Sequence, residues 1–190
     1  DSITLGVGIP SPETSSYPAQ LQKMLGAEFE VKNFGVKDAT LIPDPPTPYY
    51  KSPEFPQAKR FLPDVVIINL GTYDAKPGLQ QWKFSRTYHD MIHQFRSLPT
   101  KPVIWIVKPV MAFTNEGKGV NASAINEEIL LRIDGVGIKA GAPVIDLHAP
   151  FLNRAELFPD KILPNAEGAL EIAKIIAPLL QKYRDQAPPP

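Results

Sequence analysis

The sequence predicts a three-layer α/β/α sandwich with a central parallel sheet, and three observations carry that expectation. The runs Asp64–Leu70 (DVVIINL), Pro102–Val107 (PVIWIV) and Pro143–Leu147 (PVIDL) are apolar without alternation, the pattern of strands covered on both faces. Segments with helical periodicity lie between them, as βαβ units require. A length of 190 residues suits one compact domain with a substantial core.

Taken in order, Tyr17–Leu25 sets Leu21, Met24 and Leu25 on one helical face. Phe29–Phe34 is shorter and more mixed than the other apolar runs and reads as a fourth strand. The proline cluster in Leu41–Pro56 excludes a helix interior or a central strand, so this segment reads as a long surface loop presenting Tyr49, Tyr50 and Phe55. Trp82–Phe95 aligns Tyr88, Met91, Ile92 and Phe95, and a further helix is expected over Ala122–Lys139. Ala166–Tyr183 closes the pattern with Leu170, Ile172, Ile175, Ile176 and Leu179 on one face. One domain over 1–186 and a proline-rich tail over 187–190 are expected, with no internal repeat.

Composition removes several classes of function. Twenty basic residues balance twenty acidic ones, and Lys and Arg form no block longer than a pair, so nothing suggests a nucleic-acid partner. No cysteine is present, which excludes disulfides, thiolate metal sites and cysteine nucleophiles. The apolar runs are far too short for a membrane span. His89 and His93 have zinc-compatible spacing but no third ligand motif, and a helix surface explains them better; neither a metal nor a cofactor is expected.

Open α/β sheets bind ligands beyond the carboxyl ends of their strands. The residues just after each run are therefore the candidates: Lys37 and Asp38, Gly71 to Asp74, Lys108 to Val110, and His148.

Four ordered segments then resemble the motif blocks of the SGNH (GDSL-type) hydrolases. Asp1-Ser2-Ile3-Thr4 resembles the block bearing the nucleophile. Asn33-Phe34-Gly35-Val36-Lys37-Asp38-Ala39-Thr40 is similar to the second block, Leu70-Gly71-Thr72-Tyr73-Asp74 to the third, and Phe158-Pro159-Asp160 through Gly168 to the last. The resemblance spans the chain and is closest to bacterial acetylesterases acting on carbohydrates. It implies a flavodoxin-like sandwich, Ser2 as nucleophile and Asp160 as the residue orienting the base. It also favours an extracellular or periplasmic location. A small-molecule or glycan ligand is expected at Gly71, Tyr73, Asp74, Lys108 and His148, which follow strands or belong to the matched blocks, and at Tyr49 and Tyr50, whose rings in a proline-stiffened loop suit sugar stacking.

Three positions depart from the family pattern. Leu163 stands where the resemblance places the catalytic histidine, Tyr73 where it places the oxyanion-hole asparagine, and Asp38 where it places a glycine. A serine hydroxyl needs a neighbouring base at neutral pH, and leucine accepts no proton. Loss of an oxyanion donor costs about 3–4 kcal/mol of transition-state stabilisation. The expectation is a domain that has lost Ser–His catalysis and binds a carbohydrate or acylated ligand. The alternative is an active acetylesterase using Ser2 with His148 or Lys108 as substitute base. Blander roles stand beside these: a turn position for Ser2, a cap for Asp160, cleft filling for Tyr73.

In the family, the nucleophile follows a strand lying inside the sheet. An apolar strand ending in glycine is therefore expected upstream of Asp1, between Phe29–Phe34 and Asp64–Leu70, with the chain part of a longer polypeptide.

Overall fold

A computed structural model describes residues 1–44, 46–76, 79–115 and 119–186. Four helices open the chain: α1 (Ser2–Leu5), α2 (Pro12–Ser15), α3 (Tyr17–Leu25) and α4 (Glu54–Arg60). The sheet then alternates with helices. β1 (Val65–Ile68) leads through α5 (Phe84–Arg96) to β2 (Val103–Lys108). A helical run follows, consisting of α6 (Ala122–Ala124), a π-helical segment (Ile125–Ile129) and α7 (Leu130–Ala140). β3 (Val144–Asp146) and α8 (Ala166–Gln186) complete the chain. The strands are parallel in the order β1-β2-β3, with Val65 opposite Val103 and Ile106 opposite Val144. The predicted sandwich and its three main strands are therefore present, with β1 and β3 trimmed at both ends and β2 shifted by one residue to end at Lys108.

Side-chain direction along β2 separates the two helical layers. Trp105 meets Tyr183 of α8 edge-on, with ring centroids 6.0 Å apart. Ile106, on the opposite face, points at Gly137 of α7. A Cβ on Gly137 would lie 2.5 Å from Val144 Cγ2, so only glycine lets α7 pack this close to the sheet. α3 packs on α8 on one face, and α5 packs beside α7 on the other. Ile104, Ile106, Val107, Ile133, Ile172 and Ile176 are buried between the layers.

Two expectations are corrected. Phe29–Phe34 does not form a strand: it pairs with no neighbour, and the Gln22 side chain takes the peptide groups a ladder would use. Gln22 Oε1 accepts the Val31 N–H at 2.7 Å, and its Nε2 donates to the Phe29 carbonyl at 3.0 Å. The second correction concerns Leu41–Pro56, which is no exposed loop. Leu41 and Ile42 are fully buried, and Phe55 begins a run of edge-to-face rings with Tyr49 and Phe95. Pro56 sits in the first turn of α4, where a missing N–H costs nothing. The tail predicted over 187–190 lies outside the described residues. Among the described residues, no helix is long and apolar enough to cross a membrane.

Candidate functional site

The first wall of the site is α1. Asp1 caps it, its Oδ1 accepting the Ile3 N–H at 3.0 Å, and Ser2 is the first helical residue, fully buried. Asn33 locks the second wall to the first. Its Nδ2 donates to the Thr4 carbonyl at 2.7 Å, while its Oδ1 accepts the Gly35 N–H at 2.8 Å. A Cβ on Gly35 would lie 2.3 Å from the Leu5 nitrogen, so the two backbones touch there only because residue 35 is glycine.

This clamp delivers Asp38 to Ser2. Ser2 Oγ donates to Asp38 Oδ1 at 3.2 Å and accepts the Asp38 N–H at 2.7 Å. Asp38 takes a left-handed backbone (φ 56°), a conformation that glycine adopts freely and aspartate tolerates. Its N–H is spent on the serine oxygen, whereas an oxyanion donor must point at the position of the developing charge.

The turn after β1 supplies Tyr73 and Asp74. Tyr73 is fully buried beside Ser2 and Asp38, although its hydroxyl makes no well-formed hydrogen bond. Burial pushes its pKa up, with the Ser2 hydroxyl opposing and the Asp38 and Asp160 charges adding to the rise. The Lys76 ammonium lies 4.9 Å from the ring centroid, a cation–π contact with no sequence signal to announce it. Asp74 faces the other way. Its two carboxylate oxygens accept the Leu41 and Ile42 N–H groups at 3.0 and 2.7 Å, fastening the proline-rich segment to the sheet. Desolvation raises its pKa from 3.8 to about 6 against those hydrogen bonds.

The last wall carries Asp160 and Leu163. Asp160 Oδ1 accepts the Ile162 and Leu163 N–H groups at 3.0 and 2.6 Å, which shapes the turn and fixes residue 163. The Leu163 side chain is buried and carries no proton acceptor.

Ser2, Asp38, Tyr73 and Asp160 therefore converge, with Leu163 joined to them through Asp160. The remaining candidates do not join them. Lys108 pairs with Asp134 of α7 at 2.9 Å. His148 Nδ1 faces the Pro109 carbonyl at 3.3 Å, and burial lowers its pKa despite that contact. Neither is a hydrogen-bond partner of Ser2. Gly71 serves packing, since a Cβ there would meet Ile129 at 3.0 Å. Tyr49 is corrected from a ligand-presenting residue to a core one: its ring packs on Phe55 and its hydroxyl donates to the Phe34 carbonyl at 3.0 Å. Tyr50 is half-buried, with Lys51 against its ring. Among the described residues, no group of three His, Cys, Asp or Glu side chains is arranged for a metal ion.

Residues 1–170 match the model of the GDSL-like Lipase/Acylhydrolase family. The chain belongs to that family. An acetylxylan esterase from Xylanibacter ruminicola is 36% identical over 93% of this chain, which spans 41% of that protein's length. Among solved structures, a carbohydrate acetylesterase from Sinorhizobium meliloti superposes with a TM-score of 0.75 at 18% identity, covering 96% of each chain. The aryl esterase of M. smegmatis gives 0.70 at 18% identity, over 96% of this chain and 95% of that one. These two likenesses show a shared fold; in this chain Ser2 stands at the start of α1, within reach of Asp38.

Proposed function

We propose that this GDSL-family domain has lost ester hydrolysis through Ser2 and retains its scaffold as a ligand-binding module for carbohydrate or acylated ligands. One observation carries the loss: Ser2 Oγ is held by the N–H and the carboxylate of Asp38, while Leu163 stands at the position that family resemblance assigns to the base. A serine without a base is a poor nucleophile at neutral pH. The ligand class rests on the carbohydrate acetylesterases among its relatives.

A second reading, an active esterase, is favoured by the Asp38 carboxylate beside Ser2. Two features oppose it. The 3.2 Å contact is long for a charge-assisted O–H···O bond, typically about 2.5–2.7 Å, and carboxylates as a class are weak bases towards an alcohol. Hydrolysis of p-nitrophenyl acetate separates the readings. Equal rates for the parent chain and Ser2→Ala support the loss, and a robust rate abolished by both Ser2→Ala and Asp38→Ala overturns it. Calorimetric titration with acetylated xylo-oligosaccharides tests the binding role, which an absence of heat with every oligosaccharide would rule out.

A further inference from the structure

With Tyr49 in the core, a sugar ligand needs another aromatic surface, and Trp82 supplies one. Trp82 lies in a single helical turn, Gln81–Lys83, on the connection from β1 to α5. That connection leaves the carboxyl end of β1, where Tyr73 stands beside Ser2. It ends at the same edge of the sheet: a Cβ on Gly71 would meet the ring of Phe84, the first residue of α5, at 3.7 Å. Trp82, two residues before Phe84, therefore stands on the edge that carries Ser2.

Single exposed hydrophobic side chains are common on protein surfaces and by themselves mean little. Trp82 differs in what holds it. The residue is 66% exposed, yet the Lys83 ammonium lies 5.5 Å from its ring centroid. Asp44 Oδ1 fixes that ammonium at 2.7 Å, and both side chains of the pair are only 24% exposed, so solvent screens it less than a surface pair. Asp44 in turn follows Ile42, whose N–H is fastened by Asp74 beside Tyr73. The indole is thus backed by a cation anchored to the core, while its exposure leaves ring surface open to solvent. An ammonium has three donors, so the bond to Asp44 leaves capacity for a ligand hydroxyl.

We propose that Trp82 is a stacking platform for a pyranose ring, with Lys83 donating to a hydroxyl at the ring's edge. A pyranose with equatorial hydroxyls has apolar C–H faces and a polar rim. The faces match an indole, and the rim matches a lysine beside it. A flat chain of β-linked pyranoses, such as a xylo-oligosaccharide, is the ligand class this pairing fits. The platform rests on the carbohydrate-binding role proposed for the Ser2 site and adds to it a contact that needs no acetyl group.

The chain has two tryptophans, and Trp105 is buried edge-on against Tyr183. Acrylamide quenching of tryptophan emission therefore reports chiefly on Trp82. Unacetylated xylohexaose should shield the parent from quenching and leave Trp82→Ala unaffected. In calorimetric titration with the same sugar, Trp82→Ala and Trp82→Leu should each weaken Kd by about tenfold or more, and Trp82→Phe should recover part of the loss. Because Trp82 is exposed, all three variants should melt with the parent. Equal affinity of the parent, Trp82→Ala and Trp82→Leu overturns the platform and leaves the carbohydrate-binding role standing. Binding of an acetylated chain alone does the same, because the acyl group would then carry the contact. A parent that binds neither chain overturns both.

Discussion

Replacing Asp74 with alanine should weaken the fold more than its distance from the sheet ladder suggests. The carboxylate is buried and accepts two buried N–H groups, those of Leu41 and Ile42. Each N–H left without a partner costs about 1–3 kcal/mol, so Asp74→Ala should lose about 2–6 kcal/mol. For a domain of this size that corresponds to a fall in Tm of roughly 5–20 °C. Asp74→Asn keeps one acceptor oxygen and should lose about half as much. The sign of the pH dependence gives a second handle. A carboxyl raised from 3.8 to about 6 in the folded state holds its proton longer there than in the unfolded chain. Its contribution is therefore fully present below its unfolded pKa and lost as pH rises towards about 6, a change of about 3 kcal/mol. The Asp1 amine, lowered from 8.0 to about 5, acts in the opposite sense, adding stability as pH rises between those values. Urea melts of parent and Asp74→Asn across this range isolate the Asp74 part as their difference. Amide exchange reports on Leu41 and Ile42 directly. An Asp74→Ala protein within about 1 kcal/mol of the parent, with both amides still protected, would refute the reasoning.

Ser2→Ala should leave p-nitrophenyl acetate hydrolysis at the parent's level, measured by p-nitrophenolate release. Leu163→His combined with Tyr73→Asn and Asp38→Gly should raise that rate by about 10²-fold or more, because it returns a base and two oxyanion donors; circular dichroism must first show that the buried tyrosine's loss is tolerated. Gly35→Ala should destabilise by about 1–3 kcal/mol in a urea melt, since its Cβ meets the Leu5 backbone rather than a movable side chain. Gly137→Ala should lower Tm through a clash with the Val144 side chain, and Val144→Ala should partly restore it.

The sequence made the sheet legible because β1, β2 and β3 are covered on both faces and therefore read as unbroken β-branched runs. Ser2, Asp38, Tyr73 and Asp160 were legible as a set through the ordered motif blocks. What local pattern could not supply was direction. Tyr49 and Tyr50 share one dipeptide, yet Tyr49 turns into the core because Phe55 and the Phe34 carbonyl receive it. Lys108 ends β2 and His148 follows β3, but Asp134 and Pro109 engage them away from Ser2. Phe29–Phe34 has strand-like composition and lacks a neighbour to pair with. A strand is a property of two segments, and only one of them is in the run.

The division of the chain at Asp64 also bears on the order in which the molecule assembles. All three strands, with α5 and α7, come from residues beyond that point and close through successive crossovers between sequence neighbours. The leading third contributes no strand and docks mainly through α3 on α8, two segments from opposite ends of the chain. Long-range closure of this kind carries the larger loop entropy and tends to come late. Ser2 and Asp38 ride on the late-docking portion, whereas Tyr73 and Asp160 belong to the earlier one. The serine–aspartate contact thus forms across a seam, and in kinetic refolding it should appear after the sheet and its two covering helices have already consolidated.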